Sequence, residues 1–234
     1  MVPGVAGAVT AGDFAVEMFH GQVGEFHAAD LLAAGRPRVV VCAAAGAALV
    51  LGSRQRHDVV DLEACSRAGI DVVKRRSGGG AVLVEPGAMC WFDVVVPADD
   101  RRFQSVAGDV GASMRWLGRH VATALGALGV GDLAVYDGPM ARGRVAQLVC
   151  FAGLGPGEVL VAGRKLVGIS QRRTRLGSRF QCMVHTAWSP QDLVDLLAPP
   201  RPDTRELASV AVVTAEVAAG LPESVARVLT SATA

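Results

Sequence analysis

The sequence predicts an α+β domain in which a mixed, largely antiparallel sheet is flanked by helices. Three observations carry this. Short apolar runs parted by Gly and Pro turns fill residues 133–187, as in hairpin-rich chains. One long apolar stripe at helical period covers residues 103–128. Composition is even along the 234 residues, with no repeat and no clear linker, so the chain reads as one domain with a substantial core.

In chain order, the small, glycine-rich residues 1–12 predict a poorly ordered start, and they lack the basic region that opens a secretory signal. Asp13 is placed to cap a helix running from Phe14 into the early twenties, with Phe14 and Met18 on one face. Residues 37–42 and 48–51 read as strands. Residues 58–67 read as a short helix, with Asp58 as its cap and Gly69 as its stop. A strand over 70–74 leads into Gly78, Gly79 and Gly80, and strands at 81–84 and 90–96 follow, parted by a turn at 85–87. Phe103, Val106, Val110, Met114, Leu117, Val121, Leu125 and Leu128 then mark the buried stripe of a helix. His120 borders that stripe, where a histidine is more often structural than catalytic. Strands are expected at 133–136, 145–151, 158–162, 165–170 and 180–187, then a short helix at 190–197. The last thirty residues read as two helical pieces, with Asp203 and Glu206 forming a capping box.

Composition excludes several classes. With 51% apolar and 19% charged residues the chain is globular rather than disordered. A net charge of +1 gives no global field for nucleic acid. The longest apolar run, residues 39–51, is too short for a membrane span. Cys42, Cys65, Cys90, Cys150 and Cys182 are odd in number and lack CxxC spacing. That argues against a disulfide scaffold or a zinc site and for a reducing cytoplasm.

Two stretches could carry chemistry. In Lys74-Arg75-Arg76-Ser77-Gly78-Gly79-Gly80-Ala81-Val82 the glycines cost backbone entropy, about 0.5–1 kcal/mol each relative to Ala. In return they allow close approach of N–H groups to an anion such as a phosphate or carboxylate. A basic-flanked tight turn is the plainer alternative. The second stretch runs Gly163-Arg164-Lys165-Leu166-Val167-Gly168-Ile169-Ser170-Gln171, with Arg172, Arg173, Arg175 and Arg179 behind it. Such clustering suits a polyanion or an acidic partner. A solvated basic hairpin is the alternative, and it is the favoured reading for Arg175 and Arg179.

Together these motifs resemble the RRxSGGGAV and GRKxxGSAQ segments of the lipoate–protein ligases and cysteine-dependent octanoyltransferases. Phe14-Ala15-Val16-Glu17 is similar to that family's NLAxEE helix, and Leu51-Gly52-Ser53-Arg54-Gln55 to its IGRxQ turn. The resemblance implies a mixed sheet flanked by helices, shared with biotin–protein ligases. It implies a catalytic domain over 13–200 followed by a short helical extension over 201–234; the larger ligases of that family also carry a C-terminal accessory domain, which is not expected in this chain. It assigns Arg75, Gly78, Gly79, Gly80, Ala81, Val82 and Leu83 to the acyl-adenylate, and Lys165 to the acyl carbonyl and phosphate. It implies ATP with Mg2+ as cofactor, lipoate or octanoate as substrate, and biotin as a more remote option. The expected partner is a lipoyl carrier domain or a glycine-cleavage H-like protein. No nucleic acid or membrane partner is expected.

The chain also departs from the family. After Val82 it continues Leu83-Val84-Glu85-Pro86-Gly87-Ala88, without the usual histidine and asparagine. Cys150-Phe151, fifteen residues before Lys165, resembles the CF dipeptide of the octanoyltransferases, whose cysteine is the nucleophile. In that reading Cys150 carries octanoate from acyl carrier protein to a lipoyl-domain lysine. The alternative places Cys150 in a buried core strand. A third reading is a non-catalytic relative that binds an acyl-adenylate or a carrier protein.

Overall fold

The computed structural model describes residues 13–141 and 143–232. The start at residues 1–12, expected to be poorly ordered, lies outside the described residues. The elements in order are β1 (Ala15–Gly21), α1 (Val23–Ala28), β2 (Arg38–Ala44), β3 (Ala48–Leu51), α2 (Leu62–Arg67), β4 (Asp71–Lys74) and β5 (Val82–Val84). Then come β6 (Met89–Pro97), α3 (Arg101–Gln104), α4 (Val110–Ala127), β7 (Leu133–Val135), α5 (Arg144–Leu148) and β8 (Val159–Val161). The chain closes with β9 (Arg164–Thr174), β10 (Gly177–His185), α6 (Pro190–Asp195) and α7 (Ala215–Ser231).

A seven-stranded sheet runs β1-β2-β6-β10-β9-β8-β7, and a three-stranded sheet runs β4-β3-β5. The β1–β2 and β3–β4 pairs are parallel and the others antiparallel. The sheet is thus mixed and largely antiparallel, as expected. On one face of the large sheet α4 and α7 bury Leu117, Val121, Leu125, Leu221, Val225 and Leu229 against Phe92, Val94 and Phe180. The other face meets α1 and the small sheet through Phe26, Val50, Val82, Trp91 and Met183. No described helix is long and apolar enough to cross a membrane.

Several local expectations are corrected. Residues 15–21 form β1, not a helix, because β2 offers a parallel edge with Val16 opposite Val39 and Phe19 opposite Cys42. Side chains then alternate. Val16 leans on the core under α7, Phe19 meets Phe26 at 5.0 Å on the other side, and Met18 is 56% exposed. The helix starts after Gly21, with Gln22 and Glu25 as a capping box. Asp61, not Asp58, caps α2 by accepting from the Ala64 N–H at 2.9 Å.

The long stripe is broken into α3 and α4. Asp109 caps α4 by accepting from the Ala112 N–H at 2.9 Å, and Val110, expected in the core, is 54% exposed. Residues 145–151 are α5 and a 3-10 turn rather than a strand. The capping box at Asp203 and Glu206 and the two final helical pieces are present. His120 is structural: its Nδ1 meets the Trp116 carbonyl at 2.8 Å.

Candidate active site

Between the small sheet and the large one lies a pocket of about 420 Å³ of empty space, walled by Val50, Val82, Val84, Trp91, Phe151 and Met183. The floor is formed by β6, β10 and β9. On β9 the period of two places Gly168, Ser170 and Arg172 on one face, and Gly168 and Ser170 line the pocket. The roof is the glycine loop together with the Cys150 turn.

Loop and turn are bound by main chain. The Ala81 N–H donates to the Leu148 carbonyl at 2.8 Å, and the Cys150 N–H donates to the Ala81 carbonyl at 3.0 Å. These bonds make a single parallel bridge between Ala81 and Val149, and Cys150 follows it in a tight turn. Gly80 lies so close to this turn that a Cβ there would sit 2.7 Å from the Val149 carbonyl carbon and the Cys150 nitrogen. Gly79 has φ +102°, a conformation that favours glycine.

Arg75 closes the loop on itself. Its Nη2 donates to the carbonyls of Gly78 at 2.9 Å and Gly80 at 2.8 Å. Burial pushes its pKa down, and the neighbouring Cys150 sulfur opposes that shift. Cys150 is half-buried and lines the pocket, as do Arg75 and Val82. Leu83 points the opposite way, into the cluster with Leu49 and Leu51 behind the small sheet. Ala81 is fully buried in that same cluster.

Lys165 lies behind the pocket wall. Its Nζ donates to the carbonyls of Cys150 and Gly153, each at 3.0 Å, and pairs with Glu158 Oε1 at 2.7 Å. All three ammonium hydrogens are thereby used. The charge also lies 4.9 Å from the Phe151 ring centre. Lys165 thus holds up the turn that presents Cys150. His185 meets Phe151 edge-on at 4.5 Å between centroids and Trp188 at a tilt at 4.7 Å. Burial, then Lys165, lowers its pKa to about 4.

Beyond the loop, Arg76 is near enough to Arg172 to repel it, and Asp30 near enough to offset that. Arg172 is pushed below its usual pKa by burial and then by Arg76 and Arg179. Arg179 is buried, so the solvated reading fails for it: it pairs with Asp93 and donates to the Phe26 carbonyl at 2.8 Å and the Ala29 carbonyl at 3.0 Å. This ties α1 to the sheet. Arg175 is exposed, as expected.

The sequence reading missed His27, Ser77, Ser170 and Gln181. Ser77 Oγ donates to Gln181 Oε1 at 2.6 Å and meets Ser170 Oγ at 3.1 Å; Gln181 Nε2 meets His27 Nδ1 at 3.1 Å. The only signal for Ser77 and Ser170 was their place inside the two motifs. Cys42 and Cys90 are pushed up to about 12 by burial, and Cys182 is also raised well above its usual value. None of those three is an activated thiol.

This geometry can be set beside known proteins. The profile of the lipoyl protein ligase A/B catalytic domain matches residues 25–231. The chain belongs to that family. Members of this lipoyl ligase family are enzymes that attach acyl groups to protein lysines. A lipoate-protein ligase A bound with ATP is 19% identical, covering 93% of this chain and 85% of that one, with a TM-score of 0.68. A proposed lipoate protein ligase from T. acidophilum with bound lipoic acid is 17% identical, covering 94% and 86%, with a TM-score of 0.69. A structure from the study of a bi-partite lipoate protein ligase and its E2 lipoyl domain from Thermoplasma acidophilum is 17% identical, covering 93% and 84%, with a TM-score of 0.63. None of the curated proteins matches the chain in sequence.

Proposed function

We propose that this lipoyl ligase family member attaches lipoate to a lysine of a lipoyl carrier domain through an acyl-adenylate. The observation that carries the reading is an apolar pocket with Arg75 and Cys150 on its wall, beside a glycine loop that Arg75 closes through the Gly78 and Gly80 carbonyls. Arg76 and Arg179 both repel Arg172, opposed by one carboxylate, Asp30, and such a net positive cluster suits a polyphosphate. The apolar walls suit a medium acyl chain. A carboxylate oxygen of lipoate attacks the α-phosphorus of ATP, and pyrophosphate leaves. The acceptor lysine nitrogen then attacks the acyl carbonyl, loses a proton, and AMP leaves. Arg76 and Arg172 hold the phosphate charge, and loop N–H groups approach the adenylate. Lys165 keeps the Cys150 turn in place behind the acyl carbonyl. Mg2+ would arrive on the nucleotide phosphates.

Solved structures of the same fold carry ATP or lipoic acid, which supports both as substrates. The pairing of that bi-partite ligase with an E2 lipoyl domain supports a carrier domain as the acceptor. Five free cysteines suit a reducing cytoplasm.

One observation favours octanoyl transfer as a second reading: Cys150 lines the pocket beside Arg75. Its thiolate would attack an octanoyl thioester on acyl carrier protein, expelling the carrier thiol. The acceptor lysine would then displace Cys150 from the new thioester.

The deciding experiment mixes the protein with ATP, lipoate and an apo lipoyl domain and weighs the products. A parallel mix contains octanoyl carrier protein without ATP. ATP-dependent acylation that survives Cys150→Ser supports the ligase. An octanoyl adduct lost in Cys150→Ser supports the transferase and removes the ligase. Adenylate binding with no product in either mix leaves a non-catalytic binder.

A further inference from the structure

His27 lines the pocket, is 7% exposed, and leaves Nε2 without a hydrogen-bond partner. The network around it determines what that nitrogen offers. Ser77 spends its hydrogen on Gln181 Oε1, so Ser170 donates to Ser77. The Gln181 amide Nε2 donates to His27 Nδ1. A neutral ring that accepts at Nδ1 carries its hydrogen on Nε2. Neutrality is enforced by burial and then by Arg179 and Arg75, which bring the His27 pKa down to about 3. The ring packs on Trp91 at 4.7 Å between centroids, and the backbone on either side of it is fixed by Arg179 bonds to the Phe26 and Ala29 carbonyls. A rigid, desolvated N–H donor is therefore presented to a mostly apolar cavity.

Its place in the sheet says which end of a ligand it meets. His27 stacks on Trp91 of β6, whereas Phe151, beside Cys150, seats on Gly168 of β9. β10 lies between β6 and β9. Two strand spacings, roughly 10 Å, separate the two positions. That is the reach of a medium acyl chain whose carbonyl lies at the Cys150 end.

We propose that His27 Nε2–H reads the far end of the bound acyl chain, donating to a ring sulfur of a dithiolane and so selecting a lipoyl group over an alkyl end of the same shape. This rests on the acyl-binding role proposed above. An alkyl end leaves the N–H buried and unpaired, whereas a sulfur accepts it.

The test compares binding of lipoate and 5-cyclopentylpentanoate, which has the same outline without sulfur, to the full chain by calorimetry. The wild type should prefer lipoate by about tenfold, and His27→Phe should bring the two affinities together. Nitrogen-15 spectra of the wild type should show hydrogen on Nε2, with a signal that shifts on adding lipoate but not its analogue. An unchanged affinity ratio in His27→Phe, or an Nε2 signal indifferent to lipoate, overturns the selection role and leaves acyl binding standing. Failure of the wild type to bind either acid overturns both proposals.

Discussion

Lys165 Nζ lies 2.7 Å from Glu158 Oε1, with the two side chains only 3% and 6% exposed. Glu158 is itself held by the Gly155 N–H at 2.9 Å and the Ile169 N–H at 3.3 Å. Removing one partner of such a pair strands the other without water. Lys165→Met alone and Glu158→Gln alone should each destabilise the fold, Lys165→Met by about 3–5 kcal/mol, and the double variant by less than the sum. Urea midpoints measure this. Turnover should stay absent in the double variant even where the fold is regained, which separates the support of the Cys150 turn from stability.

The glycines of the loop are not equal. Gly80→Ala should cost about 1–3 kcal/mol and abolish acyl binding, because its Cβ would press on Val149 and Cys150. Gly78→Ala meets nothing within 4 Å and should stay close to wild type. Thermal melts with a lipoate titration compare the pair. Equal losses at both positions would refute the close approach of loop and turn.

Arg76 and Arg172 bear on the nucleotide rather than the fold. Arg172→Met and Arg76→Met should each raise the KM for ATP about tenfold and leave the melting temperature nearly unchanged. The wild-type KM for ATP should rise with salt more steeply than that of either variant. Steady-state kinetics at two ionic strengths check both statements.

Acid should weaken the fold through its buried histidines. His185 titrates at about 4 when folded, against an ordinary 6.5. Between those values the unfolded chain takes up a proton that the folded ring refuses. Its contribution is complete above pH 6.5 and falls by about 1.4 kcal/mol per pH unit toward pH 4. The slope of stability against pH should therefore be shallower by that amount in His185→Phe, as read from urea denaturation at pH 7, 6 and 5.

Legibility followed burial and locality. Residues 48–51 and 90–96 announced their strands because Leu49, Val50, Phe92 and Val94 are apolar wherever the chain goes. The two glycine-containing motifs announced the loop and the strand that form the pocket. Spacing misled where tertiary pairing decided. Phe14 and Met18 stand four apart as in a helix, yet the open edge of β2 made that stretch a strand. Val145, Val149 and Phe151 look like a strand, but local bonds from the Val149 N–H to the Val145 carbonyl and from the Ala152 N–H to the Val149 carbonyl curl them into helical turns. His27 gave no local sign at all, since its partner Gln181 lies 154 residues away. Nor could the sequence show that Arg75 and Lys165, the two cations picked out by motif, spend their hydrogens on the chain's own oxygens.

The pocket floor joins β6 to β10, residues 89–97 to residues 177–185, across everything that lies between them. A growing chain therefore holds its glycine loop and its cysteine long before it has anywhere to seat an acyl tail. Pairings of such long range are slow to close. The ligand can bind only the finished sheet, so by mass action it favours the last step of folding. A ligand in this pocket would therefore stabilise the whole long-range sheet and not the loop alone.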